Sequence, residues 1–453
     1  MAESTNTIQK EIQDREAKEK RELRRKRRRR NQILAILTLL LFVCLIVAII
    51  GTGVWYIMHR GAGKTAGGGA ATTEETTIDN LFESEDEIVK PEETNTEPAL
   101  TPEQQLDAIL DEAFISQMPL EDKVAGLFIV TPESITGVNK AVKAGDGTKD
   151  ALNKYAVGGI VYAFQNMQDA AQFTEMVSNT TLYSRYALFT CVAEEGGSST
   201  SLEKAGLADK TDSEQAMGTG ADAAKAYEAS GKIADSMLTY GLNLNFAPVA
   251  DLATVQDSYL KDASYGSDAA LAASFVTSAV QGMQEKGISS CLKYFPGAAD
   301  MKEDPAKGMA SSERTAEQLA AEEFTVFKAG IDAGVDMVMV GHVAVPALTG
   351  DNTPCSLSSA VITDKLRNEL GFNGVIITDA MNKGAITEYY EADEAAILAL
   401  KAGCDMILCP DDFEKAYNGV LEAVQNGTIS EERINDSLRR IYRIKYAGMM
   451  PEA

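Results

Sequence analysis

From residue 101 onward the chain alternates between two hydrophobic rhythms. Short, nearly continuous apolar runs of a length suited to buried strands are separated by longer Ala-rich stretches with helical spacing. The strand-like runs are Ala125–Thr131, Val157–Phe164, Ala187–Glu195, Leu242–Leu252, Ile288–Gly297, Val335–Val343, Gly374–Met381 and Cys404–Pro410. Continuous rather than alternating apolar character belongs to parallel strands covered on both faces. Eight such runs with helices between them predict an α/β fold, a (β/α)8 TIM-like barrel, with a doubly wound open sheet as the alternative. Thr101-Pro-Glu-Gln has the form of a helix start and opens this region. Ile429-Ser-Glu-Glu-Arg followed by Asn435–Tyr446 predicts a capped final helix against the barrel wall.

Ahead of the barrel the pattern changes twice. Residues 59–100 hold glycine runs, threonine pairs and acids with few large apolar groups, the composition of a flexible acidic linker. Residues 32–58 contain the uncharged run Ile33–Met58, long enough to cross a hydrocarbon core of about 30 Å as a helix. Trp55 and Tyr56 stand at its far end, where interfacial aromatics collect. Residues 1–31 form a basic tail ending in Arg24-Arg-Lys-Arg-Arg-Arg-Arg30. Basic residues before the span and acids after it predict a single-pass cell-membrane anchor, N-terminus cytoplasmic and barrel extracellular. A cleaved signal peptide is the competing reading. The length of the run and the poor Gly-Thr-Gly cleavage signal weigh against it.

Charge sharpens this division. The chain carries 67 acidic and 42 basic residues, a formal −25, although its first 30 residues are net basic. An acidic body is a poor partner for nucleic acid. The six cysteines include no CxxC pair. Five lie outside the apolar span, and they predict buried free thiols rather than disulfides or a metal site. No phosphate loop or nucleotide fingerprint is present, so no cofactor is expected. The glycine pairs Gly158-Gly159 and Gly196-Gly197 are read as tight turns.

In a parallel barrel, chemistry gathers at the carboxyl ends of the strands. The polar groups at those ends are Glu194, Glu195, Asp251, Lys293, Asp300, His342, Asp379 and Asp411. Asp411, just after Pro410 and before a helix, is expected to cap that helix. Asp379 closes a buried strand, where an unpaired carboxylate is costly to desolvate. Two carboxyl groups are the minimum set for glycoside hydrolysis.

The stretch Leu366-Arg-Asn-Glu-Leu-Gly-Phe-Asn-Gly-Val-Ile-Ile-Thr-Asp379-Ala-Met resembles the nucleophile segment of glycoside hydrolase family 3, in its β-N-acetylhexosaminidase branch. The resemblance runs in order through most of residues 102–450. It includes Leu120-Glu-Asp-Lys-Val-Ala-Gly-Leu-Phe, Val157-Gly-Gly-Ile-Val-Tyr, Glu194-Glu-Gly-Gly197, Asn245-Phe-Ala-Pro-Val-Ala-Asp251, Lys293-Tyr-Phe-Pro-Gly297 and Gly341-His342-Val-Ala-Val-Pro. It implies that Asp379 is the nucleophile of a retaining glycosidase acting on cell-wall or related glycans, peptidoglycan-derived ones among them. Asp304 is implied in the acid/base unit, and Lys293, Asp251, His342 and Glu195 in substrate binding.

The departures from the family pattern are local. Where the hexosaminidase branch reads Lys-His-Phe-Pro-Gly-His-Gly-Asp, this chain has Lys293-Tyr294-Phe-Pro-Gly-Ala298-Ala299-Asp300. Its Asp-Ser-His acid/base unit is matched by Asp304-Pro305-Ala306, so the orienting acid remains and the imidazole is gone. A substrate-contacting Asp is replaced by Ala193. Expected arginines are replaced by Ser198, by Thr200 or Ser201, and by Ala263. Two functions follow as expectations: a membrane-anchored glycosidase, or a catalytically degenerate barrel that binds a glycan or a protein at the cell surface.

Overall fold

The computed structural model describes residues 102–297 and 300–447. The basic tail, the span at 32–58 and the linker lie outside the described residues. Among the described residues no helix is long and apolar enough to cross a membrane.

Eight parallel strands close into a barrel in chain order. They are β1 (Phe128–Val130), β2 (Gly159–Val161), β3 (Phe189–Val192), β4 (Leu244–Asn245), β5 (Ser289–Phe295), β6 (Met337–Val340), β7 (Val375–Ala380) and β8 (Met406–Leu408). Pairing of Phe128 with Ile407 and of Ile129 with Leu408 joins β1 to β8 and rules out the open sheet. Each strand lies inside one of the eight predicted runs. The strands are shorter than the runs because apolar residues continue past the ladder into loops packed over the barrel mouth. β4 is the shortest, and Pro248 a few residues on has no N–H to extend a ladder.

The final helix, α1 (Glu431–Tyr446), is capped as expected: the Ser430 side chain accepts a hydrogen bond from the Arg433 N–H. Two expectations are corrected. Asp411 does not cap the next-to-last helix, Phe413–Gln425. Asp412 does, accepting from the Lys415 N–H at 3.0 Å, because the turn after β8 is one residue longer. Gly158-Gly159 is not a turn either. A Cβ on Gly158 would lie 2.1 Å from the Gly126 carbonyl oxygen, and one on Gly159 would lie 2.9 Å from Phe189 Cβ. Here glycine permits close approach of barrel backbone. Gly196 and Gly197 do form a turn, with φ of +87° and +59°, a region that favours glycine. Five described cysteines, Cys191, Cys291, Cys355, Cys404 and Cys409, are buried free thiols.

At the amino-terminal end of the barrel, Lys445 of α1 brings its ammonium 4.7 Å from the Phe189 ring centre and 5.0 Å from that of Tyr442. Burial pushes it down to about 7. The folded protein therefore binds this proton less readily than the unfolded chain. Below pH 7 the penalty is complete; it fades as pH rises towards the ordinary lysine value, so this group makes stability rise with pH across that window. Lys445→Met is expected to stabilise the protein by about 2 kcal/mol at pH 6, after allowing for the lost cation–π contacts. The difference should shrink when denaturant unfolding is repeated near pH 10.

Candidate active site

β7 carries Asp379 to the carboxyl end of the barrel, where the residue is 6 % exposed. Its two oxygens have separate partners. The Ala380 N–H donates to Oδ1 at 2.7 Å, and Lys383 Nζ donates to Oδ2 at 2.7 Å. Burial alone would push this carboxyl up, but the Lys383 ammonium and the Ala380 N–H together hold it below the ordinary aspartate value. Asp379 is therefore an ionised carboxylate, the state a glycosidase nucleophile requires.

β5 supplies the neighbouring cation. Lys293 is buried and donates to Glu195 Oε1. Burial would lower its ammonium, yet the Glu195 charge and hydrogen bond raise it above the ordinary lysine value. The Tyr294 N–H donates to Asp251 Oδ2. The Tyr294 ring lies between two ammonium groups, 5.4 Å from Lys293 Nζ and 5.3 Å from Lys383 Nζ. Asp379, Lys293, Glu195 and Asp251 are thus brought together around this ring.

His342 stands behind that group. Its Nε2 donates to the Ala380 carbonyl at 3.0 Å and its Nδ1 accepts from Ser356 Oγ at 2.7 Å. The backbone carbonyl fixes these roles, because it can only accept. Burial lowers the imidazole below its ordinary value, which keeps it neutral. With both nitrogens engaged inside the protein, His342 reaches the mouth only through the backbone beside Asp379.

Asp304 sits on the loop after β5. Its Oδ1 accepts the Ala306 N–H at 2.9 Å and caps the short turn Pro305–Lys307. That turn packs against the helix following Asp379. A Cβ on Gly384 would fall 2.8 Å from the Gly308 nitrogen and 3.2 Å from the Ala306 oxygen. The loop therefore lies beside the end of β7 that carries Asp379, with a methyl group at the position where the resemblance expects an imidazole. Asp300 is turned away to accept from Ser312 Oγ at 2.8 Å.

The remaining strand-tip acid, Glu194, serves its own loop. It accepts the Ser201 and Leu202 N–H groups at 2.7 and 3.0 Å, and burial pushes it up to about 7. Two residues of the site escaped the sequence reading. Lys383 had a visible signal, a basic residue four positions after Asp379, but only a helical turn following the strand brings the two together. Glu214 had none. It is fully buried, accepts the Val249 N–H at 3.2 Å through each oxygen, and is raised well above the ordinary glutamate value by burial.

A closed parallel barrel with an ionised aspartate, a buried lysine and further carboxylates at its carboxyl end has the build of a glycosidase. Residues 119–444 match the model of the glycosyl hydrolase family 3 N-terminal domain. The chain belongs to glycoside hydrolase family 3. It is similar to a β-hexosaminidase of Stenotrophomonas maltophilia strain R551-3, 30 % identical over 284 residues, covering 60 % of this chain and 82 % of the relative. A β-hexosaminidase of Xanthomonas campestris pv. campestris strain B100 is 31 % identical over 270 residues, 57 % of this chain and 79 % of that one. Among solved structures, a family 3 β-N-acetylglucosaminidase from Paenibacillus sp. str. FPU-7 superposes with a TM-score of 0.69 at 32 % identity. That match covers 74 % of this chain, which spans 64 % of the length of that structure.

Proposed function

We propose that this protein is a membrane-anchored, extracellular glycosidase of the β-N-acetylhexosaminidase type, with Asp379 as nucleophile on cell-wall or related glycans. The carrying observation is the ionised Asp379 carboxylate held at the end of β7 by Lys383 and the Ala380 N–H. In a retaining mechanism Asp379 attacks the anomeric carbon, the bond to the leaving oxygen breaks, and water later hydrolyses the glycosyl–Asp379 ester. Lys293, Glu195 and Asp251 line the place where the sugar would sit. The membrane anchor rests on the apolar run Ile33–Met58 and the charges flanking it.

Departure of the leaving group is the weak step. Asp304 is engaged in capping its own turn, and Glu195 is paired with Lys293. The chemistry therefore favours sugars whose leaving group needs no proton. A second reading, a barrel that binds glycan without turnover, is favoured by the Lys383 ion pair, which must loosen before Asp379 can attack. Incubation with dinitrophenyl N-acetyl-β-glucosaminide, followed by mass spectrometry of the intact chain, separates the two. A burst of phenolate with a glycosylated Asp379 supports the first reading, and silence from a folded chain supports the second.

Ala306→His adds a further expectation. The side chain of residue 306 is exposed, so an imidazole can be accommodated beside Asp304. Turnover of unactivated N,N′-diacetylchitobiose should rise about 10²-fold, as positioned general acids contribute. Turnover of the dinitrophenyl glycoside should stay nearly constant.

A further inference from the structure

The loop between β3 and β4 carries Glu195 on its inner side. On its outer side it encloses a hollow of about 280 Å³, lined by Lys210, Lys225 and Lys232 with Asp212, Glu228 and Met217. Lys225 and Lys232 are seven residues apart on the helix Ala224–Thr239, two turns along one face. Lys210 approaches from the preceding loop. All three lysines are exposed. Among the described residues none of them forms an ion pair with Asp212 or Glu228, although both acids line the same hollow.

The hollow is tied to the catalytic face. A Cβ on Gly196 would lie 2.3 Å from the Asp212 carbonyl oxygen, and the Gly197 N–H donates to the Thr211 carbonyl at 3.0 Å. The wall that holds Lys210 and Asp212 is thus the backing of the turn beside Glu195, the partner of Lys293.

We infer that the hollow is an anion subsite, in which Lys210, Lys225 and Lys232 hold an oxyanion carried on an acidic glycan. This rests on the glycan reading given above. The chain as a whole is net −25, a field that repels anionic polymers. A polyanion is captured only where local charge opposes that field, and three ammonium groups against the two carboxylates of Asp212 and Glu228 leave this hollow net positive at short range. The groups are exposed, so the attraction is screened by salt. A carboxylate-bearing sugar and a phosphate group offer the same chemistry to lysine, and the position on the catalytic rim favours the sugar.

Isothermal titration of the full chain in detergent tests this, with an oligogalacturonate, a chito-oligosaccharide of equal length and inorganic phosphate as probes. In low salt the oligogalacturonate should bind at least about tenfold more weakly to the K210Q/K225Q/K232Q triple variant. That difference should vanish at about 0.5 M salt, and the chito-oligosaccharide should not distinguish the two proteins. Equal oligogalacturonate binding by the two proteins overturns the assignment, as does no binding by the wild type. Preferential binding of inorganic phosphate also overturns it, as the mark of a free-anion site. Turnover plays no part in the titration, so an inactive barrel and an absent anion subsite give different results.

Discussion

Asp379→Asn should lower turnover of dinitrophenyl N-acetyl-β-glucosaminide by at least about 10³-fold and abolish the glycosylated intermediate. The dinitrophenolate leaves without a proton, so the missing acid at Ala306 has no bearing on this substrate. What remains is the attack itself. An amide has neither the charge nor the lone-pair reactivity to form the glycosyl ester. The substitution is nearly isosteric. The side-chain oxygen can still accept from the Ala380 N–H, so the tip of β7 should keep its shape. Lys383 loses its counter-charge, and a modest change in melting temperature is expected with no loss of cooperative unfolding. Equal rates from the wild type and the variant would remove Asp379 from the chemistry.

The barrel was legible in the sequence because its signals are local. Each strand of a parallel barrel is buried on both faces, and the eight continuous apolar runs record that directly. The position of Asp379, the proposed nucleophile, was legible for the same reason: it ends the run Val375–Thr378, and its neighbours in space are mostly its neighbours in the chain. The charge pairs were not legible. Lys293 and Glu195 are 98 positions apart, and only barrel closure determines that they meet. Nothing in Glu214-Gln-Ala-Met distinguishes a buried carboxylate from a solvated helix start; the Val249 N–H that it accepts comes from another strand end. The Gly158-Gly159 misreading has a similar origin. Glycine marks both positive φ and close approach, and the chain alone does not say which is needed. Asp304 shows the reverse limit, since its position in the motif is kept while its carboxylate is engaged by its own turn.

Asp405→Ala should cost about 3–5 kcal/mol of stability, measured by denaturant unfolding, while leaving the chemistry of Asp379 in place. Asp405 has a fully buried side chain at the opposite end of the barrel from the candidate active site. Its Oδ2 accepts from Arg367 Nη2 at 2.8 Å and from the Ile376 N–H at 3.0 Å. Its Oδ1 accepts from Ser437 Oγ at 2.9 Å and from Arg440 Nη1 at 3.0 Å, with Arg433 Nη1 at 3.7 Å. One carboxylate thus ties β7, the helix before it and α1 together. Without it three guanidinium groups face one another across a cavity, and the Ile376 N–H loses its acceptor, so repulsion adds to the unmet hydrogen bond. The two buried aspartates differ in how fully they are compensated. Asp405 meets several donors and serves the fold. Asp379 meets one cation and one N–H, and keeps a carboxylate that can be released to react. Asp405→Ala protein assayed well below its unfolding midpoint should therefore form the glycosyl–Asp379 ester at close to the wild-type rate. A parallel loss of rate and stability would mean that the two ends of the barrel are coupled.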